Sequence, residues 1–137
     1  MGTYVTLNRT YGFALDSNKE YEEGTIEAYL RKNTELDDKD LKERGALEIL
    51  VDHLGYGKDR TIEVEYNGEG DGPTYVVGIN SKYVGDMWDG PFILNDLTPP
   101  GILDGVAYEK IWNLWHDLGY DDDKHDKPMW LLTVSRG

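Results

Sequence analysis

Cysteine is absent from this 137-residue chain, and that absence excludes disulfide frameworks, thiolate zinc sites, iron–sulfur ligation and cysteine nucleophiles together. A reducing, cytoplasmic setting fits. Long apolar runs are missing too: no stretch approaches the roughly 20 residues needed to span a bilayer, and the first residues carry no positive head leading into an apolar segment. No membrane partner is expected. Phenylalanine is scarce, two against ten tyrosines and four tryptophans, so a core must be built largely from rings with a polar edge. Basic residues are few as well, with 14 Lys and Arg against 27 Asp and Glu, a net charge of −13. A field of that sign repels phosphates and anionic lipid heads, which argues against direct nucleic-acid binding, and attracts cations or basic protein surfaces.

What is present is organised around Asp104–Leu118 and Gly119. Tyr108, Ile111, Trp112, Trp115 and Leu118 recur at helical spacing, with Asp104 placed to cap the start and Gly119 to end the helix. Burying its two indoles is worth on the order of 4–6 kcal/mol apiece as an upper bound.

Around that helix the chain reads as one α+β domain spanning residues 1–137. A mostly antiparallel sheet of about four strands carries two to three helices, in the order β-α-α-β-β-loop-α-β. Tyr4 to Leu15 is an N-terminal strand, bent near Gly12, and Asp16 to Glu20 is a polar turn. Thr25 caps a short helix with Ile26, Tyr29 and Leu30 on one face. A second helix starts at Leu36–Asp40, buries Leu47, Leu50, Val51 and Leu54, and ends at Gly55; Gly45 inside it costs about 1 kcal/mol unless the helix begins later. Residues 61–66 alternate as a half-exposed strand, with Ile62, Val64 and Tyr66 inward, and pair with 74–79 across a glycine-rich tip. Asn80 to Gly105 is an irregular loop whose apolar members are expected to pack down on the sheet or the organising helix. Met129–Ser135 is almost continuously apolar, which predicts a central strand covered on both sides.

Motifs with established chemistry are missing, and no cofactor is expected. Gly68, Gly70 and Gly72 are interrupted by Glu69 and Asp71 and lack the following helix and Lys of a phosphate cradle. Asp121, Asp122, Asp123, His125 and Asp126 are close in sequence but match no calcium loop, and Asp86, Asp89 and Asp96 are no better spaced. Neither Asp52-His53 nor His116-Asp117 forms a base with its orienting carboxylate, because adjacent helical residues diverge. No nucleophile elbow, Walker loop or zincin pair appears, so the expectation is a protein that is not an enzyme.

Two features point instead to binding. Asp37, Asp38, Asp40, Glu43, Glu48 and Asp52 line one helix and its approaches as a charged face, at a pitch that imitates a phosphate backbone, although Lys39, Lys42 and Arg44 are interleaved. Tyr83 and Trp88 sit beside acids in the long loop as aromatic anchors. The expected function is a non-catalytic acidic module that docks on a basic protein surface, such as a nuclease or a nucleic-acid-binding complex, and blocks it. In size and composition the chain is similar to the small inhibitors that bacterial viruses make against host defence systems, such as anti-CRISPR proteins. Two alternatives stand beside it: a nucleotide-like small molecule held between the 80–105 loop and the organising helix, with Lys82, Lys110 or Arg136 facing its phosphate, and a metal-assisted hydrolase using the loop aspartates.

Overall fold

The computed structural model describes residues 5–56, 62–67, 74–94, 105–121 and 123–136. Its elements run β1 (Val5–Ala14), α1 (Ser17–Glu23), α2 (Thr25–Asn33), α3 (Asp38–Arg44), α4 (Ala46–Tyr56), β2 (Glu63–Asn67), β3 (Thr74–Asp86), α5 (Gly105–Asp117) and β4 (Met129–Arg136). The strands form one antiparallel sheet in the order β2-β3-β1-β4. The fold is α+β, with more helices than the sequence pattern predicts. No helix among the described residues is long and apolar enough to cross a membrane.

One face of the sheet presents Tyr11, Phe13, Val77 and Ile79 to the helices, which answer with Ile26, Leu30, Leu50, Leu54, Ile111, Leu114 and Trp115. Trp115 is only 1% exposed, and its indole N–H donates to the Asp126 carbonyl at 3.1 Å, tying the 121–128 loop to α5. The rings form a continuous series: Tyr11 meets Trp130 edge-on at 5.6 Å, Phe13 meets Tyr120 at 5.4 Å, and Trp112 meets Trp115 at 5.8 Å. Among the described residues, the buried indole nitrogens of Trp112 and Trp130 have no hydrogen-bond partner. The stripe on α5 is centred on Ile111, Leu114, Trp115 and Leu118, with Tyr108 and Trp112 half-buried on its flank. Gly119, at φ 80°, ends the helix: its N–H bonds to the His116 carbonyl and that of Tyr120 to the Trp115 carbonyl. Asp104, read as its cap, lies outside the described residues.

Several expectations are corrected. The polar turn after β1 is the helix α1, capped by the Asp16 carboxylate, which accepts from the Lys19 N–H at 3.3 Å. Thr25 does not cap α2. Gly24 stands at that position in the left-handed region, and the Glu20 carboxylate reaches over from α1 to accept from the N–H groups of Ile26 and Glu27. The single helix over 36–55 is two, because Gly45 at φ 84° breaks the chain between α3 and α4, and α4 runs on through Gly55 to Tyr56. β3 continues seven residues past the expected end at Ile79, to Asp86. β4 lies at an edge and β1 in the interior of the sheet, so the apolar run of β4 leaves Met129 and Leu132 exposed. The tip over 68–73 lies outside the described residues.

The sheet is strongly curled. Gly12 and Gly78 face each other across β1 and β3, and a Cβ on Gly12 would lie 1.9 Å from the Val77 carbonyl oxygen. That approach lets the two edge strands, β2 and β4, come within 8 Å between Cα atoms. On the face away from the helices the Thr133 hydroxyl bonds to Glu65 at 2.6 Å, joining one edge to the other.

Gly12→Ala is therefore expected to destabilise the protein by about 2–3 kcal/mol through overpacking against backbone. Gly105→Ala, where an added Cβ meets nothing within 4 Å, should stay within about 0.5 kcal/mol; urea denaturation of both variants checks the contrast. Burial raises the pKa of Glu20 above its ordinary 4.5, against the two N–H bonds, which lower it. Such a group stabilises the fold most fully below 4.5, and that contribution is lost as the pH rises through the folded-state value. Glu20→Gln, which keeps a carbonyl acceptor but never ionises, should thus gain on the wild type between pH 4.5 and neutrality. A difference in urea midpoint that does not vary with pH would contradict this.

Candidate functional site

The far end of β3 is shaped by two slips in its register with β1, between Leu7 and Asn8 and between Arg9 and Tyr11. At the first, Val84 is the extra residue, with Tyr83 opposite Asn8 and Asp86 opposite Thr6. An extra residue resets strand alternation, so Tyr83 and Asp86 share a face although they are three apart. The Tyr83 hydroxyl donates to Asp86 Oδ1 at 2.8 Å. That bond to a carboxylate, followed by desolvation, raises the pKa of Tyr83 above 10.0.

Beyond Asp86 the chain turns through a short 3-10 segment, Met87–Asp89, which packs on β1. The aromatic ring of Phe92 folds back onto Gly85, where a Cβ would meet the ring at 2.3 Å. With Phe92 inward, its neighbours point out: Ile93 is 86% exposed, Trp88 78% and Tyr83 62%, and Met87 and Leu94 are exposed too. This corrects the expectation that the apolar members of the loop pack down. The result is an apolar turn interleaved with Asp86 and Asp89, a kind of exposed patch that monomeric proteins generally keep small.

The charged face has a different character. Asp37 caps α3, accepting from the Lys39 N–H at 2.9 Å. Asp38 pairs with Arg31 at 3.0 Å, and Arg44 pairs with Glu48 at 3.7 Å and also with Asp52. Asp40 and Glu43 are exposed and make no ion pair among the described residues. α3 buries no residue and packs on α4, which contacts β2. β2 pairs with Thr74–Gly78 of β3, so Asp86 lies eight residues further on, about 25 Å along the strand. The acidic helix and the aromatic anchors are thus separate features of the surface.

A third feature is a pair of adjoining clefts at the other end of the molecule. One, of about 320 Å³, is lined by Asp16, Lys19, Glu22, Glu23, Lys124 and His125. The other, of about 250 Å³, reaches Phe13, Trp115, Tyr120 and Lys127. Between them His125 directs Nε2 toward Asp16 Oδ2 at 3.7 Å, its Nδ1 accepts from the Asp121 N–H at 3.3 Å, and its ring stands edge-on to Tyr120 at 4.8 Å. The Tyr120 hydroxyl accepts from the Asp16 N–H at 2.8 Å, and burial raises its pKa. The Asp121 carboxylate is used within its own loop, accepting from the Asp123 N–H at 2.9 Å. Among the described residues no three His, Asp or Glu side chains are arranged to hold a metal ion; Asp122 and Asp96 lie outside them. His53 and His116 are exposed near the ends of α4 and α5.

Asp86 is the participant that periodicity hides, because two-residue alternation places it on the face opposite Tyr83. Asp86→Asn should bring the Tyr83 ionisation back toward 10.0, followed by NMR of the labelled ring; an unmoved titration would mean that the hydrogen bond is not formed to a charged group. No family model, curated protein or solved structure matches this chain.

Proposed function

We propose that the chain is a non-catalytic acidic protein-binding module that docks on a basic, nucleic-acid-binding surface of a partner, such as a nuclease complex, and blocks it in the manner of small viral inhibitors of host defence. The observation that carries this reading is the exposed turn at the end of β3. Trp88, Tyr83 and Ile93 project from a fixed strand end with carboxylates between them. Large rings held in place beforehand give contact area at low entropic cost, and rings of this type dominate interface energetics. The net charge of −13 and the open acids of α3 act at longer range, speeding encounter with a positive surface and disfavouring others. Arg31 and Arg44 offset part of the helical face, so α3 steers and the turn anchors.

A small-ligand reading draws support from the cleft of about 250 Å³ beside Phe13, Trp115 and Tyr120, which combines rings with Lys124 and Lys127. A ligand there would bind equally well to a chain with an altered β3 turn.

Capture from cells of the natural source, with mass identification and a nucleic-acid competition assay on the captured protein, tests the first reading. The expected partner is basic, loses nucleic acid as this protein is added, and binds more weakly as salt is raised from low to physiological strength. Trp88→Ala should weaken capture about 30-fold, the equivalent of about 2 kcal/mol at an interface anchor. Affinity that is flat with salt, or a partner that holds nucleic acid and this protein together, would refute blocking by charge.

A further inference from the structure

We infer that the turn at the end of β3 selects arginine over lysine, an inference that rests on the docking role proposed above and specifies its partner. The carboxylates of the helical face and those of the turn differ in their partners. Those of α3 and α4 are largely engaged within the chain, Asp38 by Arg31 and both Glu48 and Asp52 by Arg44. Asp86 and Asp89, by contrast, pair with no cation among the described residues. The nearest basic residue in sequence, Lys82, sits opposite Arg9 and so belongs to the other face of the strand from Tyr83 and Asp86.

Tyr83 occupies one oxygen of Asp86 at 2.8 Å, and an ionised carboxylate has acceptor capacity well beyond one bond. The same bond fixes the orientation of the Tyr83 ring relative to the carboxylate. A planar donor that stacks on an aromatic face while giving N–H groups to an adjacent carboxylate meets both features at once, and of the arginine and lysine cations only guanidinium has that shape. An ammonium is compact and more strongly hydrated, so it gains from the charge but less from the ring. Trp88, two residues beyond Asp86 and 78% exposed, adds the aromatic surface on which cations sit best. Asp89 beside it supplies a second carboxylate. The occupant of this surface is an arginine-bearing segment of a basic protein.

The test uses the full-length protein and labelled octa-arginine and octa-lysine peptides of equal charge, compared by fluorescence anisotropy at the same ionic strength. The wild type is expected to bind octa-arginine about fivefold tighter, in keeping with the worth of an exposed cation–aromatic contact. Asp86→Asn and Tyr83→Phe should each bring the ratio of the two affinities close to one. Because the ratio is taken within each variant, a partial loss of folded protein cancels. Equal affinities of the wild type for the two peptides would overturn the arginine preference while leaving the acidic docking role standing, and a preference that survives both substitutions would place it elsewhere on the surface and overturn this site. Failure of both peptides to bind would overturn the preference and the docking role together.

Discussion

The close approach of two backbones at Gly12 and Gly78 is the constraint on which the rest of this structure depends. No side chain fits between β1 and β3 there, so the two long strands bend together and the sheet wraps away from its helices. On the convex side Tyr11 and Phe13 are brought against α5, and the ring series from Trp130 to Trp115 is completed. On the concave side the space is too narrow for a second layer of helices. Beside Val76 and Leu131 it holds small and hydroxylated residues: Thr10 donates to the Ile79 carbonyl at 3.2 Å, Ser81 donates to Thr10 at 2.8 Å, and Thr133 bonds to Glu65. Each buried hydroxyl has a partner, as the low local dielectric requires.

The helical layer is held by carboxylates acting at unexpected range. Asp16 caps α1, and its backbone N–H is received by Tyr120 from the far end of the chain. Glu20 then closes the start of α2, where Gly24 has no side chain to do so. In a protein with so many acids, a few do structural work at helix starts, where the peptide dipoles favour negative charge. Others are neutralised by Arg31 and Arg44. What remains open is a smaller set than the composition suggests, and it includes the pair at the end of β3.

The legible parts of the fold are those set by local periodicity. The α5 stripe, the stop at Gly119 and the β2–β3 pairing follow from spacing and turn chemistry alone, and the cost assigned to Gly45 marks the break between α3 and α4. Long-range features are not legible in this way. The bulges of β3 disrupt alternation, so a strand of 13 residues looks like a loop after its first half. β4 looks central because Trp130 and Leu131 are both apolar, yet one faces the helical core beside Tyr11 and the other the narrow concave side. The Glu20 cap lies six residues from the N–H it serves, outside any capping pattern. For the candidate site, Tyr83 and Trp88 can be picked out as rings beside acids, but their exposure depends on Phe92 turning inward onto Gly85, which only the folded chain displays.

The pairing of β1 with β4 joins the two ends of the described chain: the Thr133 hydroxyl reaches the Asn8 carbonyl from 125 residues away. The interior strand β1 must therefore wait, during synthesis, for a neighbour that follows it by more than a hundred residues. Contacts of such long sequence separation make folding slow, so the nascent chain presents an incomplete sheet to the cell until β4 has been made.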